Sequence, residues 1–385
     1  MRCGPAFLKA TLLAVGLLLT ACVPSGPSPR PDFYSDPGVV EGYANGQLIR
    51  SEEVPAASLA PAISAALGRG VRVMYRSQAT SGAAIAATGL VLVPKGSAPA
   101  DGWPVVVWAH GTVGVSGACA PSKTANLFFD DYGAFAGHWL ARGHLVVAID
   151  YQGLGIAGQL HPYVEMASEA NTATDGVRAA RALGIGAWNR WVVIGHSQGG
   201  QAALGTGELA PARAPELDLR GVVSIAPGTS MLAAVGHIER VGEYYDLLGF
   251  VATSIKLGDP SFDYGELLGP DLIGEIGRMQ STCSPIPFAR LAHPVNPAYA
   301  RSPAVQAFAR RNQPGHARSA APILLVTGAK DALIVQASVD RRARDLKAVG
   351  DSVTYRVHAN DDHNTIVESA TPEIDRWVTE RFAVP

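Results

Sequence analysis

Residues 191–200 read Trp191-Val192-Val193-Ile194-Gly195-His196-Ser197-Gln198-Gly199-Gly200. Four apolar residues in a row suit a strand buried on both faces of a sheet. A Gly-x-Ser-x-Gly pattern follows at once, and residues 201–209 (QAALGTGEL) are compatible with a helix. A strand-to-helix turn that sharp holds its serine in a strained conformation, and small residues two before and two after let the chain fold back. The Ser197 hydroxyl then stands clear of the sheet, at a helix N-terminus whose dipole favours negative charge. The alternative is a turn whose serine only caps the helix.

The flanking sequence repeats the theme. Short apolar runs at 104–108 (PVVVW), 144–149 (HLVVAI), 221–225 and 323–327 (ILLVT) read as strands, and 353–357 (VTYRV) as the last strand. Helices are expected at 131–141, 171–183 and 373–382. In the first, Tyr132, Phe135, Trp139 and Leu140 recur at helical spacing; Asn171 is placed as N-cap of the second. Strands at 71–76 and 83–93 form an antiparallel hairpin at one sheet edge. The expected fold is α/β: a mainly parallel sheet flanked by helices. Between 227 and 320 the alternation fails. Amphipathic stretches at 231–241 and 243–255, broken by Gly and Pro, read as an inserted helical cap.

A serine hydroxyl needs a base, and the base an orienting acid; in this architecture both follow the serine, acid first. Asp331 lies just past the strand ILLVT, and His363 follows the strand VTYRV in Asp361-Asp362-His363-Asn364. His358 competes as base, but it sits at the strand end, where it packs or caps. The oxyanion of an acyl-transfer intermediate needs donors. One is the backbone N–H of Gln198. The other comes from Ala109-His110-Gly111-Thr112, where Gly111 lets the backbone turn and Thr112 or its neighbour supplies the N–H. The segments Asp150-Tyr151-Gln152-Gly153 and His161-Pro162-Tyr163 hold the site loops in shape or line the pocket.

The N-terminus reads as an address. Arg2 and Lys9 precede or flank a short apolar run at 10–19, too short to span a membrane, and Leu19-Thr20-Ala21-Cys22 resembles a bacterial lipoprotein processing site. The expected layout is a signal peptide at 1–21, a flexible Pro/Ser/Gly-rich tether at 22–31 beginning with acylated Cys22, a first core segment at 32–226, the cap at 227–320 and a second core segment at 321–385. An ordinary secretory signal is the alternative. With Cys3 in the signal and Cys22 on the lipid, Cys119 and Cys283 remain; in an exported protein they read as a disulfide, otherwise as two buried thiols.

Composition narrows the rest. A 48% hydrophobic content rules out a charged coil, and a formal net charge of −2 leaves no basic excess for nucleic acid. No CxxC or His/Cys cluster suggests a metal, and the chemistry read here needs no cofactor.

Together these residues resemble the α/β-hydrolase superfamily and, more narrowly, the secretory lipase family. The resemblance rests on Asp32-Phe33-Tyr34, Gly46-Gln47-Leu48-Ile49-Arg50-Ser51, Cys119-Ala120-Pro121-Ser122, Asp150-Tyr151-Gln152-Gly153, the GHSQG elbow, Asp331 and His363. It implies a helical cap over an acyl pocket and a Cys119–Cys283 disulfide. The chain departs from the family in His110-Gly111-Thr112, where a fungal member has an acidic oxyanion loop, and in His196, where other members often carry Tyr. The function expected is carboxylic ester hydrolysis, lipase or esterase, by Ser197, His363 and Asp331 on a small-molecule ester or lipid, with the membrane as partner through the lipid anchor. An acyltransferase, a peptidase and a non-enzymatic binding protein on the same fold are the alternatives.

Overall fold

The computed structural model describes residues 32–228 and 230–383. The expected signal peptide and the whole of the expected tether, with Cys22, lie outside the described residues.

Among the described residues nine strands make one sheet in the order β1-β2-β3-β5-β4-β6-β7-β8-β9. They are β1 (Leu48–Glu53), β2 (Leu67–Gln78), β3 (Ala84–Pro94), β4 (Trp103–Ala109), β5 (Leu145–Ile149), β6 (Ala187–His196), β7 (Asp218–Ile225), β8 (Ile323–Gly328) and β9 (Val353–His358). From β5 onward every pairing is parallel; β1, β2 and β3 join antiparallel, and β3 meets β5 antiparallel. The hairpin expected at the sheet edge is β2–β3, but β1 lies outside it. Its sequence, LIRSEE, is mostly polar and half-exposed, as edge strands are, and so lacks the apolar alternation that announces a strand.

The central strands are buried on both faces because helices cover both. On one face Val105, Val107, Val147 and Val193 pack against Ala173, Val177, Leu204 and Val339 from the helices Met166–Ala182, Gln198–Arg213 and Gln336–Ala348. On the other, Val106, Trp108, Val146 and Ile194 meet Phe135, Trp139, Ile374 and Val378 from Asp130–Ala141 and Thr371–Ala383. Burying a side chain of this kind is worth about 1.5–3 kcal/mol.

Helix Met166–Ala182 starts five residues before the expected Asn171. Asn171 is no cap; its side-chain amide donates to the Gln78 carbonyl across the helix–sheet packing. The first turn carries Ser168 and Glu169, both buried, and polar residues at buried positions hide the helix start from a hydrophobicity pattern.

Between β7 and β8 run the helices Met231–Val241, Tyr245–Gly258 and Pro303–Arg311 with shorter ones. Val235, Ile238, Leu248, Phe250 and Phe308 form a cluster here that also takes in Val115 and Tyr163. The Cys119–Cys283 disulfide ties this segment to the loop after β4, with Cα atoms 5.5 Å apart, and Ser284 N–H donates to the Val113 carbonyl beside it. Among the described residues no helix is long and apolar enough to cross a membrane.

Candidate active site

The site lies past the C-terminal ends of the parallel strands, where loops from β4, β6, β8 and β9 converge. Ser197 follows β6 directly, with φ 57° and ψ −115°. A left-handed φ is costly for a residue with a side chain. Backbone bonds hold it there: Ser197 N–H donates to the Ile225 carbonyl, and Gly228 N–H donates to the Ser197 carbonyl. The two flanking glycines are required by space. A Cβ on Gly195 would come within 2.0 Å of the Gly199 carbonyl oxygen, and one on Gly199 within 1.9 Å of the Ala109 carbonyl oxygen.

Ser197 Oγ is 2.9 Å from His363 Nε2, and His363 Nδ1 is 2.7 Å from Asp331 Oδ2. The carboxylate is held by its other oxygen, which accepts the Leu333 and Ile334 N–H groups at 2.9 and 2.7 Å. The Asp331 side chain is fully buried, whereas His363 keeps an exposed edge. The three residues expected from sequence are therefore joined in one hydrogen-bond chain. His358 is not part of it: its ring faces Asp361 and Glu373. Asp361 and Asp362 do not support His363 either; Asp361 meets Ser369 and His358, and Asp362 accepts the N–H groups of Asn364 and Thr365.

Of the expected oxyanion residues, the backbone N–H groups of Gln198 and Thr112 have no acceptor among the described residues. Gly111 differs. Its N–H donates to the Tyr132 hydroxyl at 3.1 Å, so it is not a free donor. Its lack of a side chain has another cause: a Cβ there would strike that hydroxyl at 2.3 Å. Only the helix Asp130–Ala141, folded over the sheet, brings Tyr132 to this place.

His196, noticed in the sequence only as a departure, is buried beside the site. Its Nε2 lies 2.7 Å from the His363 carbonyl and its Nδ1 2.8 Å from the Tyr132 hydroxyl. Burial, with His363 nearby, lowers its pKa to about 3. His161 and Tyr163 hold site loops: His161 Nε2 contacts the Gln198 side chain, and the Tyr163 hydroxyl meets Thr112 Oγ1 at 2.7 Å. Asp150 is buried on Thr88 and Ser122, which anchors the loop after β5.

A cavity of about 130 Å³ opens beside Ser197 and Gln198. One water needs about 10–15 Å³ by this measure, so the space suits a ligand. Met231, Val235, Ile238, Leu248, Val251 and Phe308 make its wall largely apolar. Among the described residues no group of His, Cys, Asp and Glu could hold a metal ion.

An α/β sheet bearing a strained Ser-centred turn and a late acid and histidine defines the α/β-hydrolase fold. Residues 124–257 match the family model described as secretory lipase; that span holds the Ser197 turn, and Asp331 and His363 lie beyond it. The chain is 26% identical over 390 residues to a probable inactive lipase of Mycobacterium tuberculosis (strain CDC 1551 / Oshkosh), covering 93% of this chain and 82% of the relative. It is 28% identical over 207 residues to Lipase A of Moesziomyces aphidis, covering 51% and 42%. In fold it is similar to Candida antarctica lipase A in its closed state, with a TM-score of 0.72 at 18% identity over 92% and 86% of the two chains. The rice cell wall degrading esterase LipA from Xanthomonas oryzae gives a TM-score of 0.72 at 19% identity over 88% and 100%. The chain is thus an α/β-hydrolase in fold that resembles the secretory lipases.

Proposed function

We propose that this protein is a serine carboxylic ester hydrolase working through an acyl-enzyme. The hydrogen-bond chain Ser197–His363–Asp331, at the mouth of an apolar cavity, supports the reading most directly. His363 Nε2 takes the Ser197 proton as Oγ attacks the ester carbonyl; Asp331 orients the ring and stabilises its charged form. The N–H groups of Gln198 and Thr112 hold the oxyanion. The alcohol leaves with the proton from His363, and a water activated by the same ring releases the acid. The apolar wall formed by residues such as Val235 and Phe308 suits an aliphatic acyl group.

A relative described as a probable inactive lipase makes a non-enzymatic role the reading to exclude. The intact Ser197–His363–Asp331 chain speaks for activity. Hydrolysis of p-nitrophenyl esters from C2 to C16, beside Ser197→Ala, tests it. Turnover lost in the variant supports the reading, and the chain-length optimum separates esterase from lipase. Equal turnover in both proteins rejects Ser197 as nucleophile.

Export is part of the proposal, supported by the Cys119–Cys283 disulfide and the likeness to secretory lipases. Anchoring through acylated Cys22 rests on the sequence alone; mass spectrometry of the mature N-terminus, with Cys22→Ala as control, tests it.

A further inference from the structure

Gln198 is the first residue of its helix, yet its side chain is buried and spent on two partners. One amide hydrogen of Nε2 goes to Glu169 Oε1 at 2.6 Å and the other to His161 Nε2 at 2.7 Å. His161 can accept because its Nδ1–H donates to the Gln152 carbonyl at 2.9 Å. Its ring stacks on Tyr151, whose hydroxyl donates to the His110 carbonyl at 2.9 Å, in the loop that carries Thr112. Two residues further on, the Tyr163 hydroxyl holds the Thr112 side chain. Both proposed oxyanion donors are thus gripped from the same short segment, 161–163. Glu169 is itself fully buried, and its Oε2 has no well-formed hydrogen bond among the described residues. A buried carboxyl is costly where packing alone would be served by a leucine.

We infer that Glu169 and His161 are positioning residues: they clamp the Gln198 side chain and so fix its backbone N–H toward the oxyanion. The inference rests on the esterase reading above. Burial, with Glu165 nearby, pushes the Glu169 carboxyl up to about 8, so it is largely uncharged at neutral pH. The groups around it are Glu165, paired with Arg311, on its own helix and the preceding turn, neutral His161, Tyr151 and Tyr163, and Gln198 on the elbow helix. None of those in contact is a cation that would neutralise its charge. Above pH about 8 an anion therefore forms behind the oxyanion donor and opposes the negative charge of the intermediate.

The test measures kcat and KM of Glu169→Leu and Glu169→Gln on a p-nitrophenyl ester from pH 6 to 10, with Ser197 labelling by a fluorophosphonate as a count of intact sites. Glu169→Leu is expected to lower kcat tenfold or more per labelled site with KM within twofold. Glu169→Gln keeps the acceptor, so it should hold kcat within about threefold at pH 7 and lose the alkaline fall of the parent. Parental kcat per labelled site in Glu169→Leu overturns the positioning role. Should that variant not fold, an unchanged alkaline fall in Glu169→Gln overturns it instead. Absent ester turnover and absent Ser197 labelling in the parent protein would reject the esterase reading itself, a separate outcome.

Discussion

His196 donates through Nε2 to the backbone carbonyl of His363, 2.7 Å away. A carbonyl can only accept, so Nε2 carries the hydrogen and Nδ1 accepts from the Tyr132 hydroxyl, which in turn accepts the Gly111 N–H. One buried ring therefore braces the loop bearing the proposed base against the loop bearing a proposed oxyanion donor.

Replacing that ring tests the brace. His196→Ala should lower kcat about tenfold, the scale of a lost hydrogen bond plus an emptied site. Fluorophosphonate labelling of Ser197 should still reach completion, more slowly. Steady-state kinetics with the labelling time course checks both; an unchanged kcat removes His196 from the positioning of His363.

Asp331→Asn keeps the side-chain shape but removes the charge and offers the His363 ring an N–H or a weaker acceptor. The two backbone N–H bonds from Leu333 and Ile334 remain available to its oxygen. A fall in kcat of about 10³-fold or more is expected, with thermal stability little changed. Kinetics and a melting curve on the same preparation separate the two effects.

The Cys119–Cys283 disulfide closes a loop of 164 residues. By chain entropy alone its removal should cost about 5 kcal/mol, and less where the unfolded chain retains structure. The double variant Cys119→Ser, Cys283→Ser should lower the urea midpoint accordingly. Activity at low temperature should fall less, since neither sulfur touches Ser197, His363 or Asp331.

Acid should destabilise the fold through its buried histidines. His110 and His144 are held down at about 4 and His161 and His196 at about 3, in each case chiefly by burial. Their folded values lie below the unfolded value near 6.5, so the stability they confer is complete above it and lost as pH falls toward the folded values. From pH 7 to 5 each removes about 2 kcal/mol. Glu169 acts in the opposite sense: raised to about 8, it favours the fold as pH falls from 8 toward the unfolded value near 4.5, and returns about 2 to 3 kcal/mol over the same interval. The buried carboxyls of Asp150, Asp246 and Glu208, also raised by burial, act in the same sense as Glu169. A net loss smaller than about 5 kcal/mol is therefore expected, read from urea unfolding at the two pH values.

Some of this was legible because the signal was local. Gly195 and Gly199 could be read as spatial necessities of a tight turn, and the apolar runs of β4 to β8 as strands covered on both faces. Helix Met231–Val241 begins and ends where its amphipathic pattern does. Strand β1 was not legible, since a polar edge strand is defined by its pairing with β2 rather than by its own composition. The start of Met166–Ala182 was displaced for a related reason: Ser168 and Glu169 are polar residues that burial, not solvent, surrounds.

The sequence by itself determined the chain order of strand, serine turn, acid and histidine, because each depends on residues adjacent in the chain. Which groups touch was decided only by the tertiary structure. Gly111 loses its N–H to Tyr132, His196 reaches the carbonyl of His363, and Glu169 grips Gln198, all across 21 to 167 residues of sequence. Such contacts arise when helices pack onto the two faces of one sheet, and a hydrogen bond formed by that packing leaves no periodicity or spacing behind it in the chain.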